Sequence, residues 1–165
     1  MEAIVYTSNT GFTERYARML SAHTDIPVFN VSRAKLELPK GSKVIYLGWL
    51  FAGKVKGYKK ISRRYKVAAV LGVGLGDSGA QTDAVRRNEK IPDDVAVFTP
   101  QGGMYFDKLK GVNRFMIKML CRMLRGKKRT ADEDKMLSLI EQGGDYVTEQ
   151  GLVDVYEYLE EIGES

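Results

Sequence analysis

Apolar positions in this chain fall into two alternating spacings. Short unbroken runs, "AIVY" within 2–7, "VIYL" within 43–48, "VAAVLGV" at 67–73 and "VAVF" within 95–99, read as strands buried on both faces. A shorter run at 27–31 completes a set of five. Between the runs, apolar residues recur every three or four positions. Phe12, Tyr16, Met19 and Leu20 form one such stripe over 12–22, and the stretches 55–65 and 79–89 also read as helices. Strands apolar on both faces and separated by helices predict an α/β fold. The expected architecture is a doubly wound, five-stranded parallel sheet of strand order 2-1-3-4-5. A chain of 165 residues suits one domain over 1–165, and no linker, repeat or low-complexity segment divides it.

The pattern changes after the fifth strand. Val112, Phe115, Met116, Met119, Leu120, Met123 and Leu124 recur at helical spacing over 112–125, and Arg114, Lys118, Arg122 and Arg125 form a second stripe. An added basic amphipathic helix is therefore expected there. Thr130 and Glu133 have the spacing of a capping box and open a helix to about residue 142. A last helix is expected over 147–162, with Leu152, Val155, Tyr156 and Leu159 on one face.

Charge sharpens this division. The net charge is +5, but nine basic residues and no acidic ones lie between Lys108 and Arg129. The remainder holds 17 basic against 21 acidic residues, so a mildly acidic body carries one concentrated basic segment. Residues 108–129 are thus expected to contact a peripheral membrane surface or an acidic partner. Nucleic acid is disfavoured, because neither a helix-turn-helix nor an RNA-stacking motif accompanies the charge. No apolar run approaches the ~20 residues that span a bilayer. Met1 leads within three residues into a strand with no signal-like segment before it, so the expected location is cytoplasmic, with contact at the inner membrane face. One cysteine, Cys121, excludes an internal disulfide and reads as a small packing residue. With a single histidine, His23, a His-rich metal site or a Ser-His-Asp triad is disfavoured. No metal site and no catalytic acid, base or nucleophile is expected.

The candidate chemistry begins at "TSNTGFT", residues 7–13, directly after the first strand. Open parallel sheets bind ligands at the carboxyl ends of their strands, beside the point where strand order reverses. Here that point lies between strands 1 and 3. Gly11 permits a tight turn, the helix opening near Phe12 aims its free N–H groups at the loop, and Ser8, Thr10 and Thr13 offer hydroxyls. The loop has no Lys or Arg, which excludes the usual Gly-Lys-Ser/Thr phosphate loop. Ser8, Thr10, Gly11 and Thr13, with Asn9 and Phe12 between them, match Ser-x-Thr-Gly-x-Thr. This is the FMN-phosphate signature of the flavodoxin family, which the chain resembles over roughly its first 110 residues. The resemblance implies a flavodoxin-like fold, FMN as cofactor and electron transfer as function.

Two further loops reach the same sheet edge. "GWLFAGKVKG" follows strand 3 and places Trp49, the only tryptophan, with Leu50, Phe51 and Ala52 where a flavin ring would be contacted. "GVGLGDSGA" follows strand 4, and residues 74–79 spell G-x-G-x-x-G. A dinucleotide fingerprint belongs after the first strand. Gly74, Leu75, Gly76 and Asp77 are read instead as a loop approaching the flavin pyrimidine edge. Flavodoxins often carry an aromatic residue in this loop, and none is present. Lys54 and Lys56, with the basic helix, predict a less negative potential for the fully reduced flavin than an acidic surround would give.

The segment 101–124 is also similar to the menaquinone-dependent protoporphyrinogen oxidases, through Gln101, Gly102, Gly103, Lys108, Leu109, Met116, Lys118 and Met119. That resemblance implies redox chemistry near a membrane, with a redox partner protein or a quinone as partner. Two other readings stand beside electron transfer. One is a flavin-dependent oxidase or quinone reductase of that type. The other is a flavin-free module that docks a partner or membrane.

Overall fold

The computed structural model describes residues 1–163. In chain order the main elements are β1 (Ala3–Thr7), α1 (Phe12–Thr24), β2 (Val28–Asn30), α2 (Val31–Glu37), β3 (Lys43–Phe51), β4 (Lys54–Val55), α3 (Tyr58–Ile61), β5 (Lys66–Val73), α4 (Thr82–Glu89), β6 (Ala96–Phe98), β7 (Gly103–Met104), α5 (Gly111–Arg125), α6 (Ala131–Gln142), β8 (Gly144–Asp145) and α7 (Val153–Glu161). Five strands pair in parallel in the order β2-β1-β3-β5-β6, which is the doubly wound order expected. The apolar runs are strands because both faces are covered. Successive side chains point to opposite faces. Ile4, Ile45 and Leu71 meet Tyr16 and Leu20 of α1 and Leu152, Val155 and Leu159 near the chain end. Val5, Val44, Tyr46 and Val70 meet Ala34, Tyr58, Ile61 and Val85 on the other side.

The strand count differs from five. β3 does not stop at Gly48 but runs to Phe51, and β4 folds back antiparallel on it, pairing Leu50 with Val55 and Phe51 with Lys54. Trp49 therefore lies within a strand, opposite Val73, rather than in a loop. The turn between β3 and β4 is Ala52-Gly53, both with positive φ (50° and 69°), the conformation of a two-residue hairpin turn. This hairpin uses up the start of the helix expected over 55–65, which shrinks to α3. α2 was not foreseen; Asn30 caps it by accepting a hydrogen bond from the Arg33 N–H at 2.9 Å. The final helix opens as a 3₁₀ turn, Glu149–Leu152, before α7.

α5 and α6 form a hairpin outside the sheet. Ile117, Cys121 and Leu124 of α5 pack on Leu137 and Ile140 of α6, a small core separate from the two that sandwich the sheet. Thr130 and Glu133 make the capping box, Glu133 N–H to Thr130 Oγ1 at 3.3 Å and Thr130 N–H to Glu133 Oε2 at 3.1 Å. The hairpin reaches the body through Phe51 and Leu75, through the Lys135–Asp77 ion pair at 2.7 Å, and through the two-stranded ribbon β7-β8. The apolar stripe expected on this helix is split. Leu124 is buried and Met116 and Leu120 are half-buried, but Val112, Phe115, Met119 and Met123 stay 72%, 62%, 55% and 58% exposed. Apolar side chains occupy more of the α5 circumference than α6 and the body cover. Among the described residues, no helix is long and apolar enough to cross a membrane.

Candidate functional site

The ends of β1, β3 and β5 meet α5 and α6 around one largely apolar cavity of about 200 Å³. The loop after β1 forms part of its wall. Gly11 has φ +97°, a left-handed value that turns the chain into α1. The Ser8 hydroxyl accepts a hydrogen bond from the Gly11 N–H at 3.1 Å and fixes the loop. No side chain caps the N-terminus of α1, so its first-turn N–H groups and positive dipole end have no protein partner of that kind. Asn9, Thr10, Phe12 and Thr13 line the cavity, whereas Ser8 and Gly11 shape the loop from behind. This donor set carries no positive side chain. It suits an anion held by backbone N–H and hydroxyl groups at a helix start.

Trp49, Leu50, Phe51 and Ala52 line the opposite wall. Their approach depends on small residues beneath them. A Cβ on Gly72 would sit 2.8 Å from Leu50 Cδ2, and one on Gly48 2.7 Å from Val55 Cγ1. Trp49 and Phe51 meet edge to face, ring centroids 6.1 Å apart, and Lys56 Nζ lies 5.7 Å from the Trp49 ring centroid. Tyr46, buried beneath this strand end, donates its hydroxyl to Lys56 O at 2.5 Å and contacts Thr7 Oγ1 at 2.9 Å. Burial pushes its phenol pKa up to about 12.

The β5 loop divides. Gly74 and Leu75 line the cavity, but Gly76 and Asp77 face a neighbouring pocket beside Lys135. Gly74 N–H donates to Pro100 O at 3.3 Å, and the Gln101 side chain donates to Leu75 O at 3.1 Å. Gln101 O in turn accepts from Tyr16 Oη at 2.6 Å. Gln101-Gly102-Gly103 therefore braces this loop. A Cβ on Gly103 would press into the Phe12 ring at 2.6 Å.

The remaining wall was not assigned from sequence. Asn113, Met116, Ile117 and Leu120 of α5, with Met136 and Ile140 of α6, close the cavity opposite the β3 tip. The signal that could have found them is Asn113, a polar residue at i, i+3, i+4, i+7 spacing with Met116, Ile117 and Leu120. Among the described residues no His, Cys, Asp or Glu cluster has the makings of a metal site.

A doubly wound parallel sheet with a hydroxyl-rich loop and an uncapped helix start after β1, beside an apolar slot at the topological switch point, is the arrangement of the nucleotide-cofactor class of α/β proteins. Within that class, the model of the flavodoxin domain matches residues 3–131, and the chain belongs to the flavodoxin domain family. The match covers β1 through α5 and ends as α6 begins. The family generally binds flavin. No curated protein and no solved structure matches the chain.

Proposed function

We propose that this protein is an FMN-binding electron-transfer flavoprotein working in the cytoplasm at the inner face of an anionic membrane. The observation that carries the cofactor reading is the uncapped N-terminus of α1 behind a Ser/Thr loop, at the wall of an apolar cavity reached by β3 and β5. The hydroxyls of Thr10 and Thr13 and the first-turn N–H groups hold the phosphate, and Ser8, bonded to the Gly11 N–H, fixes the loop that presents them. Trp49 and Leu50 contact one side of the ring system. Met116 and Leu120 stand across the cavity and take the place of the aromatic residue missing from the β5 loop. Gly74 and Leu75, held by Pro100 and Gln101, border the polar edge. The bound flavin supplies one- or two-electron redox chemistry; the protein excludes water from it and sets its potential.

The membrane reading rests on α5. Four exposed apolar side chains lie beside Lys118 and Arg122, neither of which has an ion-pair partner among the described residues. Such a helix lies in a lipid interface, apolar side down, with cations on anionic headgroups. The neighbouring Met116 and Leu120 line the cavity, which favours a lipid-phase quinone as the electron partner and leaves room for an oxidoreductase acting on an organic substrate.

The test is the visible spectrum after adding FMN and desalting. Wild-type protein retains flavin absorption. Thr10→Ser retains it and Thr10→Glu loses it, because a new carboxylate repels the phosphate. Wild-type protein that never retains FMN overturns the reading. For the membrane part, sedimentation with phosphatidylglycerol vesicles but not with phosphatidylcholine vesicles is expected. Equal binding to both, or to neither, overturns it.

A further inference from the structure

Behind the Trp49 wall, on the side away from the apolar cavity, lies a second and larger cleft of about 540 Å³. Its walls come from five separate segments: the end of β1, α2, the β3–β4 hairpin, α3 with the residues after it, and the end of α4. Its cations are Lys35, Lys54, Lys56, Lys59, Lys60 and Arg64. None of the five lysines makes an ion pair among the described residues. Six like charges around one concave surface repel one another, an arrangement that favours an anion between them. Trp49, Phe51, Val31 and Ile61 give the same cleft an apolar floor.

A second observation is independent of the charge. Glu89 lines this cleft, is 7% exposed, and its Oε2 is buried with no hydrogen-bond partner among the described residues. It is also the last residue of α4, where the negative end of the helix dipole disfavours a carboxylate. A buried acceptor without a donor is costly, and native proteins rarely leave one unexplained.

We infer that this cleft is a binding site for a small organic polyanion, bearing two or more carboxylates or phosphates on an aromatic or apolar body together with one N–H or O–H donor. Lysines 35, 54, 59 and 60 take the anionic groups. Trp49 and Phe51 take the body, and Glu89 accepts from the donor. Because Trp49 and Phe51 line both cavities, the ligand sits one aromatic wall away from the proposed flavin pocket. The site does not depend on flavin being bound.

The sole tryptophan is part of this wall, so its fluorescence reports occupancy. The probes are 5-aminoisophthalate, isophthalate and inorganic triphosphate, each titrated into the protein without added FMN and followed by Trp49 emission and calorimetry. Saturable binding of 5-aminoisophthalate is expected. It weakens about tenfold in Lys54→Ala/Lys60→Ala, which removes two cations. It stays unchanged in Lys118→Ala/Arg122→Ala, which removes two cations elsewhere. Isophthalate, lacking the amino donor, binds more weakly than 5-aminoisophthalate in wild type and equally in Glu89→Ala. Tighter binding of triphosphate than of either aromatic acid assigns the site to phosphates rather than carboxylates. No saturable binding by any probe, or equal losses in both lysine/arginine pairs, overturns the inference. Repeating the titration with FMN present separates the two sites: failure to retain FMN alongside normal probe binding refutes only the flavin reading.

Discussion

The sheet body and the α5–α6 hairpin use apolar residues differently. In the body, no apolar residue that the pattern assigns to a strand is exposed, and Ile4, Val5, Ile45, Leu47, Val70 and Leu71 are all at 0% exposure. In α5, Ile117, Cys121 and Leu124 suffice for packing, and Val112, Phe115, Met119 and Met123 remain outside. The body's pattern is accounted for by folding. The hairpin's pattern exceeds what folding requires, and the excess lies beside Lys118 and Arg122, which no acidic residue among those described pairs with. An apolar surplus of that kind points to a partner outside the molecule. The same contrast divides the electrostatics: the hairpin pairs Arg125 with Glu141, Lys127 with Glu133 and Arg129 with Asp134, and leaves Lys118 and Arg122 without an ion-pair partner among the described residues.

The sharpest way to break this comparison is to remove equal side chains from each core. Leu47→Ala, at the centre of the sheet, is expected to destabilise by about 4 kcal/mol. Leu124→Ala, in the small hairpin core, is expected to cost about 2 kcal/mol, because a small, partly open cluster collapses around the gap more readily. Urea unfolding of both variants measures this. Equal losses would show that the hairpin is as integrated as the sheet.

Next in size is the charge on α5. Each exposed cation near an anionic bilayer contributes about 1 kcal/mol, so Lys118→Gln/Arg122→Gln is expected to weaken vesicle binding by about 2 kcal/mol. That is about 30-fold in dissociation constant, with folding stability unchanged. Phe115→Ser/Met119→Ser should weaken vesicle binding as well. Retained binding in both double variants would mean that the exposed stripe does not meet lipid.

What the sequence disclosed follows the range of the interactions involved. The Ser8–Thr13 loop was legible because strand, glycine turn and helix start are consecutive. The capping box was legible for the same reason. The end of β3 was not, because its extension depends on Val73, 24 residues from its partner Trp49, and on β4 folding back through a two-residue turn to pair Leu50 with Val55 and Phe51 with Lys54. On α5 the helix itself was plain, but which arc of a wide apolar face turns inward is decided by α6. The cationic cleft was invisible, since Lys35, Lys54, Lys60 and Glu89 lie far apart in sequence and each alone reads as a solvated charge.

A smaller effect separates the hairpin's own stability from its docking. Thr130→Ala removes the side chain that caps α6 and is expected to cost about 1 kcal/mol. The contact also has a pH signature. The Lys127 ammonium beside Glu133, with the Thr130 N–H, holds its carboxyl below the ordinary glutamate value. Its contribution is therefore complete above that ordinary value and is lost as pH falls through the lowered folded value. Protection factors at α6, exchange corrected for its intrinsic pH dependence, should fall on acidification in wild type and less so in Glu133→Gln. If protection in α1 falls in step, the hairpin is not a separate unit.

The smallest expected effect lies at the seam between the two regions. Ala52 forms the tip of the β3–β4 turn, lines the apolar cavity opposite α5, and has φ +50°. A left-handed conformation costs an L-residue about 1–2 kcal/mol, and glycine avoids this. Glycine also has more freedom to lose on folding, about 0.5–1 kcal/mol relative to alanine. The difference favours Ala52→Gly by about 0.5 kcal/mol, measurable as a small rise in urea midpoint. The methyl group is also a wall of the cavity, so removing it widens the slot without touching the phosphate loop. A variant that is more stable yet holds FMN less well would show that alanine is kept at this strained position for the ring contact. Unchanged FMN retention with the same gain would leave Ala52 as a turn residue only, and the seam would belong to the body.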